Sequence, residues 1–466
     1  MKSYKLNPLF LFSLLLGGVW SCSDDYLEPT LNTSKDISTS INSLGDLQGI
    51  VLGAYDRMNE ADYYGRDYIV FGEVRSDDAF SNANSGRFVG PGQFFLNPTD
   101  AYPTDTWQQI YEMIANANIV IQSEVENNDS PEVQYTKGQA YALRAMGHMD
   151  LLRLYGQQYS GGTLGVPIVT GFNDGNLTPE RAPVDQVWEQ IGSDLEAAAG
   201  MMDPSLDVDY SATDITTSAV YGLQSRYYLY AEDYEAAATA AETVISSGKF
   251  SLTPAGALVG AWSDGSVSTV FELANTVTDN PGINGLFYMY QDTNYGDVVA
   301  TPDLYNQYGE TDVRRQLFTE YADTSSTGVV TYTYRISGKY RTSNYTDNVK
   351  LIRYAEVILN YAEALTQTGS SEALTWLNLI AETRGAEPYA AATIDNVLAE
   401  RRKELAMEGF RFFDLMRYEK PIVKVDSRQT FEGGEVPFGS PLLAFPIPQQ
   451  ELAANPNIVQ NEGYRE

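Results

Sequence analysis

Residues 397–417, VLAERRKELAMEGFRFFDLMR, constrain this chain more than any other stretch. The apolar residues Val397, Leu398, Leu405, Phe412, Phe413 and Leu415 are interleaved with Glu400, Arg401, Arg402, Glu404, Glu408, Arg411 and Asp414. A helix with an apolar stripe and so many charges of both signs can lie in a core only if those charges satisfy one another. Gly409 stands where a C-terminal helix cap belongs. Just upstream, KLIRYAEVILNYAEAL and WLNLIAETRG read as two more helices, the second stopped by Gly385.

Helical periodicity recurs through the chain. Leu44, Leu47, Val51, Tyr55 and Met58 mark a first helix, and Trp107, Ile110, Tyr111, Ile114, Ala117 and Ile121 form one face over 106–123. Residues 132–155 carry Gly138, Ala140, Ala142, Ala145 and Gly147, which permit close helix contact, and 183–200 opens with Pro183 ahead of Val184, Val187, Trp188, Ile191 and Leu195. Residues 218–247 are similar to a tetratricopeptide hairpin through Tyr221, Ser225, Tyr228, the Asp233-Tyr234 turn, Ala237 and Ala241, with Gln224 where that motif prefers leucine. Such pairs bury their faces only by stacking on neighbours. The expected fold is therefore mainly α, a rigid frame of tetratricopeptide-like helix pairs.

Two stretches break the pattern. Residues 63–98 and 249–348 are rich in Gly, Asn, Asp and aromatics and read as loop-rich insertions, with strands expected at VFELA and where Val330, Tyr332, Tyr334 and Ile336 alternate with polar residues.

The N-terminus reads as an address. Lys2 and Lys5 precede an apolar run over 9–20, too short to span a bilayer, and the run ends at Cys22, the single cysteine. Residues 1–21 are expected to be a signal peptide, 22–40 a polar tether acylated at Cys22, and 41–466 one body. Trp20 departs from the small residue usual before such a cysteine.

Composition excludes several chemistries. The net charge of −32 argues against nucleic acid and anionic lipid, and favours neutral ligands, cations or a basic partner. A single histidine, His148, within a helical core segment, and one cysteine leave no Ser-His-Asp triad, Cys-His pair or His/Cys zinc site. No phosphate-binding loop or dinucleotide fingerprint is present, so no cofactor is expected. Asp292-Thr293-Asn294 offers oxygen ligands but matches no calcium loop, and no metal site is expected. Glu356 and Glu363, one helical face apart, read as structural ion-pair groups rather than a glycosidase pair.

The helices at 350–417, the LRAMGHMDLLRLYG segment with its following GVPIV, and the closing FPIPQQELAANPNIVQNEGY together resemble the SusD/RagB family of outer-membrane nutrient-binding lipoproteins. The matches are dense in the helices and thin at 63–98 and 249–348. That resemblance implies a cell-surface, lipid-anchored protein, with Ser23-Asp24-Asp25 similar to the acidic export signal of such lipoproteins. It further implies a glycan ligand and a SusC-like TonB-dependent transporter, which the lipoprotein supplies and caps. A peptide-capturing relative, a surface glycosidase and a recruiting scaffold are the alternatives. Sugar recognition needs flat aromatic faces beside carboxylates, amides or guanidinium groups. The two insertions supply Asp77, Asp78, Phe80, Asn82 and Arg87, then Trp262, Tyr288, Tyr290 and Tyr295, as the expected ligand-binding residues.

Overall fold

The computed structural model describes residues 41–172, 178–262 and 264–464. The expected signal peptide, tether and acylated Cys22 lie outside them. The frame begins with α1 (Leu44–Asn59), whose Ser43 and Asp46 form a capping box. It continues through α2 (Asp67–Val74), α3 (Ala101–Gln122), α4 (Pro131–Tyr155), α5 (Val184–Met201), α6 (Thr217–Tyr230) and α7 (Tyr234–Ser246). After the one-turn α8 (Leu286–Tyr290) come α9 (Tyr354–Gln367), α10 (Ala373–Thr383), α11 (Ile394–Glu404), α12 (Arg411–Arg417) and α13 (Gln449–Ala454). Successive helices pack as antiparallel neighbours, α3 on α4, α4 on α5 and α6 on α7, and α9 joins α7 to α10. The tetratricopeptide-like frame is thus present. Among the described residues no helix is long and apolar enough to cross a membrane.

The strands are few. β1 (Ala79–Ser81), β3 (Val298–Ala300), β5 (Val330–Arg335) and β4 (Thr319–Thr324) form one antiparallel sheet in that order. β2 (Thr269–Leu273) pairs with β6 (Val349–Arg353), and β7 (Ile422–Val423) with β8 (Glu435–Val436). The expected strands at VFELA and from Val330 are both present.

Three expectations are corrected. Residues 350–353 belong to β6 rather than to a helix: the run is buried throughout against β2, and helix begins only at Tyr354. A short apolar run carries too few residues for its period to separate strand from helix. Residues 63–98 are not mainly an exposed loop, because every residue of α2 is buried. The break expected at Gly409 is present but begins earlier: α11 stops at Glu404, and a turn containing Met407 and Gly409, both with positive φ, re-aims the chain into α12. Gly409 is needed there because it holds φ +87° and a Cβ on it would lie 2.9 Å from the Ile69 Cα; Gly72 of α2 is needed opposite, since its Cβ would lie 2.3 Å from the Gly409 oxygen.

Ionic contacts fasten this segment to its surroundings. Glu404 accepts from Arg384 through both oxygens at 2.9 Å, from Arg353 at 3.0 Å and from Arg314 at 3.3 Å. Glu408 takes Arg353 at 2.7 Å and Lys339 at 2.6 Å, while Arg417 pairs with Glu363 and Arg226 with Glu356. Burial pushes the Glu404 carboxyl up, but the surrounding guanidinium groups outweigh it and hold the group well below the usual range. Phe412 and Phe413 are each faced by a buried cation, Arg75 at 4.3 Å and Arg153 at 3.7 Å from the ring centroids. His148 is a core group: Val169 N–H donates to its Nε2 at 3.1 Å, so its Nδ1–H is left to donate to the Arg144 carbonyl at 3.1 Å.

Glu404→Gln removes the counter-charge of three buried guanidinium groups, and unfolding free energy by denaturant titration is expected to fall by about 3–5 kcal/mol. A second expectation concerns acid. Burial, with Arg144 nearby, lowers the His148 pKa to about 3. The unfolded chain takes up that proton near pH 6.5, so the fold loses stability as pH falls from about 6.5 toward 3. His148→Gln, which cannot titrate, is expected to flatten the stability–pH slope in that window.

Candidate functional site

The structure divides the expected ligand residues into two groups. Asp78, Phe80, Trp262 and Tyr290 are interior side chains and Asp77 is half-buried with both oxygens engaged, and their assignment to an exposed ligand surface is corrected. Arg411 binds both oxygens of Asp77 at 2.7 and 2.8 Å, and Arg402 binds Asp78 at 2.6 Å. These two aspartates anchor the first insertion onto α11 and α12. Burial raises both carboxyls; at Asp77 the Arg411 and Arg402 charges win and hold it low, whereas Asp78 stays raised. Phe80 lies in β1 under the Arg428 guanidinium, 4.7 Å from its centroid. Trp262 is 5 % exposed and roofs the buried cations Lys339, at 4.5 Å, and Arg353, at 5.1 Å. Tyr290 is fully buried and stacks on Tyr340 at 5.8 Å.

The second group meets in one place. α8 presents Phe287 and Tyr288 outward while Leu286, Met289 and Tyr290 face the core, the division one helical turn imposes. Tyr288 lies 5.4 Å from Tyr295 and 5.6 Å from Tyr345, and Phe287 lies 6.1 Å from Tyr345. All four rings are half-buried. Arg87 closes the row with its guanidinium carbon 4.1 Å from the Tyr295 centroid.

Backbone contacts hold these loops in register. Asn82 donates to the Gly296 carbonyl at 3.1 Å, and Asn84 to the carbonyls of Asn294 and Tyr295 at 2.9 and 2.6 Å. Arg335, at the root of β5, donates to the same Gly296 carbonyl at 2.9 Å. Gly296 has φ +49°, and a Cβ there would lie 2.9 Å from the Gln291 oxygen and 3.0 Å from the Arg335 guanidinium, so glycine is required. Asn82 is therefore a loop-fastening residue, though exposed.

Tyr345 was not foreseen. It sits in a Ser/Asn/Thr/Asp-rich turn, the same flanking signal that pointed to Tyr288, and it holds φ +66°. A non-glycine residue kept in that region costs roughly 1–3 kcal/mol and tends to occur at binding sites. Beside the rings lies a small recess of ≈ 20 Å³ lined by Phe287, Tyr345, Tyr340, Asn275 and Asp347. A wider groove of ≈ 560 Å³ runs between α3 and α13, floored by Trp107 and Tyr111. It holds none of the expected residues. Among the described residues no cluster of His, Cys, Asp and Glu has metal-binding geometry.

The chain is thus a helical protein of the tetratricopeptide-like class whose frame presents a half-buried aromatic row flanked by amides and one guanidinium. The chain belongs to the SusD/RagB family. The SusD family model matches residues 287–464, and a second model, described as starch-binding associating with outer membrane, matches 25–229. The chain is 25% identical to a SusD-like protein of Formosa agariphila over the full length of both. A SusD superfamily protein from Bacteroides vulgatus superposes with TM-score 0.82 at 27% identity, over 91% of this chain and 100% of that one. Another, from Bacteroides thetaiotaomicron, gives 0.81 at 28% identity, over 90% and 99%.

The two groups predict different phenotypes. Tyr288→Ala and Tyr345→Ala are expected to leave the thermal midpoint within a few degrees of the parent. Trp262→Ala and Tyr290→Ala empty core positions and are expected to cost about 3–5 kcal/mol, read by denaturant titration.

Proposed function

We propose that this chain is a cell-surface glycan-binding lipoprotein, anchored through Cys22, which captures oligosaccharide and hands it to a SusC-like TonB-dependent transporter that it caps. The observation carrying the ligand class is the row Phe287, Tyr345, Tyr288 and Tyr295 with Arg87, Asn84 and Asn284 at its margin. Half-buried rings set edge-to-face or tilted against one another offer apolar faces to the C–H side of a pyranose, while amide and guanidinium groups at the edge meet its hydroxyls. The adjoining recess, ≈ 20 Å³, is too small for a sugar unit, so the row grips a chain from one side and leaves the remainder in solvent. The family model described as starch-binding associating with outer membrane supports the same ligand class and location. The mechanism is capture and release without bond cleavage: the carboxylates near the row, such as Asp297, which takes the Ser85 amide and hydroxyl, are held in structural hydrogen bonds.

The transporter role is carried by family membership. A rigid frame suits a lid, because closure moves the aromatic row as one piece with the helices.

The test is affinity electrophoresis of the detergent-solubilised full chain through gels containing single polysaccharides, with a pooled oligopeptide mixture as competitor. Retardation by a polysaccharide is expected, weakened at least ten-fold by Tyr288→Ala or Tyr345→Ala. Retention that both variants preserve, or that peptides abolish, overturns the assignment. Co-purification of a TonB-dependent barrel with the tagged chain from native membranes tests the partner, and its absence rejects the capping role.

A further inference from the structure

Charge pairing singles out one residue of the aromatic row. This chain has a net charge of −32, and its arginines and lysines are nearly all taken up by carboxylates. Among the described residues the exceptions outside the row have other partners. Arg75 and Arg181 are buried on backbone carbonyls, Arg341 and Lys424 bond single carbonyls, and Arg315 bonds Tyr305 and the Tyr308 carbonyl. Arg87 differs. Its guanidinium lies over the Tyr295 ring, half-buried, and forms no ion pair with any described carboxylate.

It is nonetheless held in place. Arg87 donates through Nη1 to Ser85 Oγ at 3.0 Å and through Nη2 to Asn284 Oδ1 at 3.3 Å. Ser85 in turn gives its hydroxyl proton to Asp297 Oδ2 at 2.6 Å and its amide to Oδ1 at 2.8 Å, so the fully buried Asp297 is occupied by Ser85. Asn284 is braced from its other side by Arg66, whose Nη1 lies 3.5 Å from the Asn284 carbonyl. The following residue, Phe88, has φ +58°, is fully buried, stacks on Tyr102 at 5.1 Å, and takes the Tyr102 hydroxyl as acceptor for its amide at 2.9 Å. Stacking on one ring and two neutral acceptors orient the guanidinium and leave it without a direct carboxylate partner, Asp297 being reached only through Ser85, at the edge of a sugar-sized aromatic surface.

A fixed, unpaired guanidinium is matched by a planar or multidentate oxyanion, to which its fork donates parallel charge-assisted hydrogen bonds. A neutral hydroxyl would use the donors and leave the charge unmatched. We infer, on the basis of the glycan-binding reading above, that the row takes an oligosaccharide bearing an anionic substituent, a uronate carboxylate or a sulfate ester, on the unit bound over Tyr295, with Arg87 as its counter-ion. The rest of the surface repels dense polyanions, so the fitting ligand is short or carries isolated acidic units. Arg87 is then the specificity-determining residue, while Tyr288 and Tyr345 supply stacking to any sugar.

The experiment is isothermal titration calorimetry of the detergent-solubilised full chain against a panel of acidic oligosaccharides. Each uronate-containing member is paired with its carboxyl-reduced form, and each sulfated member with its desulfated form. For whichever pairs bind, the acidic form is expected to bind at least ten-fold more tightly than its neutral partner. Arg87→Gln should bring the ratio of acidic to neutral binding within each pair to about one, whatever it does to the neutral form, and Arg87→Lys should recover part of the ratio. The pair showing the larger ratio tells carboxylate from sulfate. Equal binding within every pair, or an acidic preference that survives Arg87→Gln, overturns this inference and leaves glycan binding standing. Silence from every pair in a chain whose melting curve is intact overturns both.

Discussion

The contact on which the rest of this structure depends is the Glu404 carboxylate shared by Arg314, Arg353 and Arg384. Those arginines come from the segment ahead of β4, from the end of β6 and from the end of α10, so one carboxylate ties three distant pieces of chain to α11. Buried charge of this kind contributes little net stability, because desolvation offsets most of the attraction. Its consequence is geometric. Any docking of α11 that left one partner behind would strand a guanidinium in the core, at a cost of several kcal/mol. Neighbouring pairs extend the arrangement outward, Glu408 to Lys339 and Arg353, Arg402 to Asp78, and Arg411 to Asp77.

These outward pairs connect frame to site. Asp77 and Asp78 fix the start of the strand whose continuation carries Asn82, Asn84 and Arg87, and β1 lies against β3, which follows directly on the Tyr295 loop. The aromatic row is therefore built on irregular chain whose ends are pinned to regular structure. Binding residues can stay half-exposed in loops without losing their mutual spacing, because amide-to-carbonyl bonds across 82–84 and 294–296 replace the missing core.

Much of the frame was legible from periodicity. The faces over 44–58, 106–123 and 183–200 returned as α1, α3 and α5, and the tetratricopeptide-like hairpin as α6 and α7. Glu356 and Glu363 were read as structural ion-pair groups, and both carry arginine partners. The reading lost resolution where runs were short. Residues 350–353 carry the same apolar content as the helix they precede, and only pairing with β2 makes them a strand. At the candidate site, Tyr288 and Tyr290 are alike in flanking composition, yet one lies outside and the other is fully buried. Two residues of separation on a single helical turn place them on opposite sides, and the sequence carries no mark of where that turn begins.

By itself, the sequence determined the helical class and the family, since period is a local property of the chain; the charges of 397–417, expected to satisfy one another, take most of their partners from elsewhere, Arg314, Arg353 and Arg384 at Glu404 and Lys339 at Glu408. Tertiary structure alone decided which aromatics stay at the surface and which charges meet a counter-charge. Asp77 and Arg87 are both charged residues of one loop-like stretch. One meets Arg411 across more than 300 positions of sequence and is neutralised, and the other meets only Tyr295, Ser85 and Asn284 and keeps its charge. Whether a charge is compensated depends on partners brought close by folding, and no local pattern encodes them.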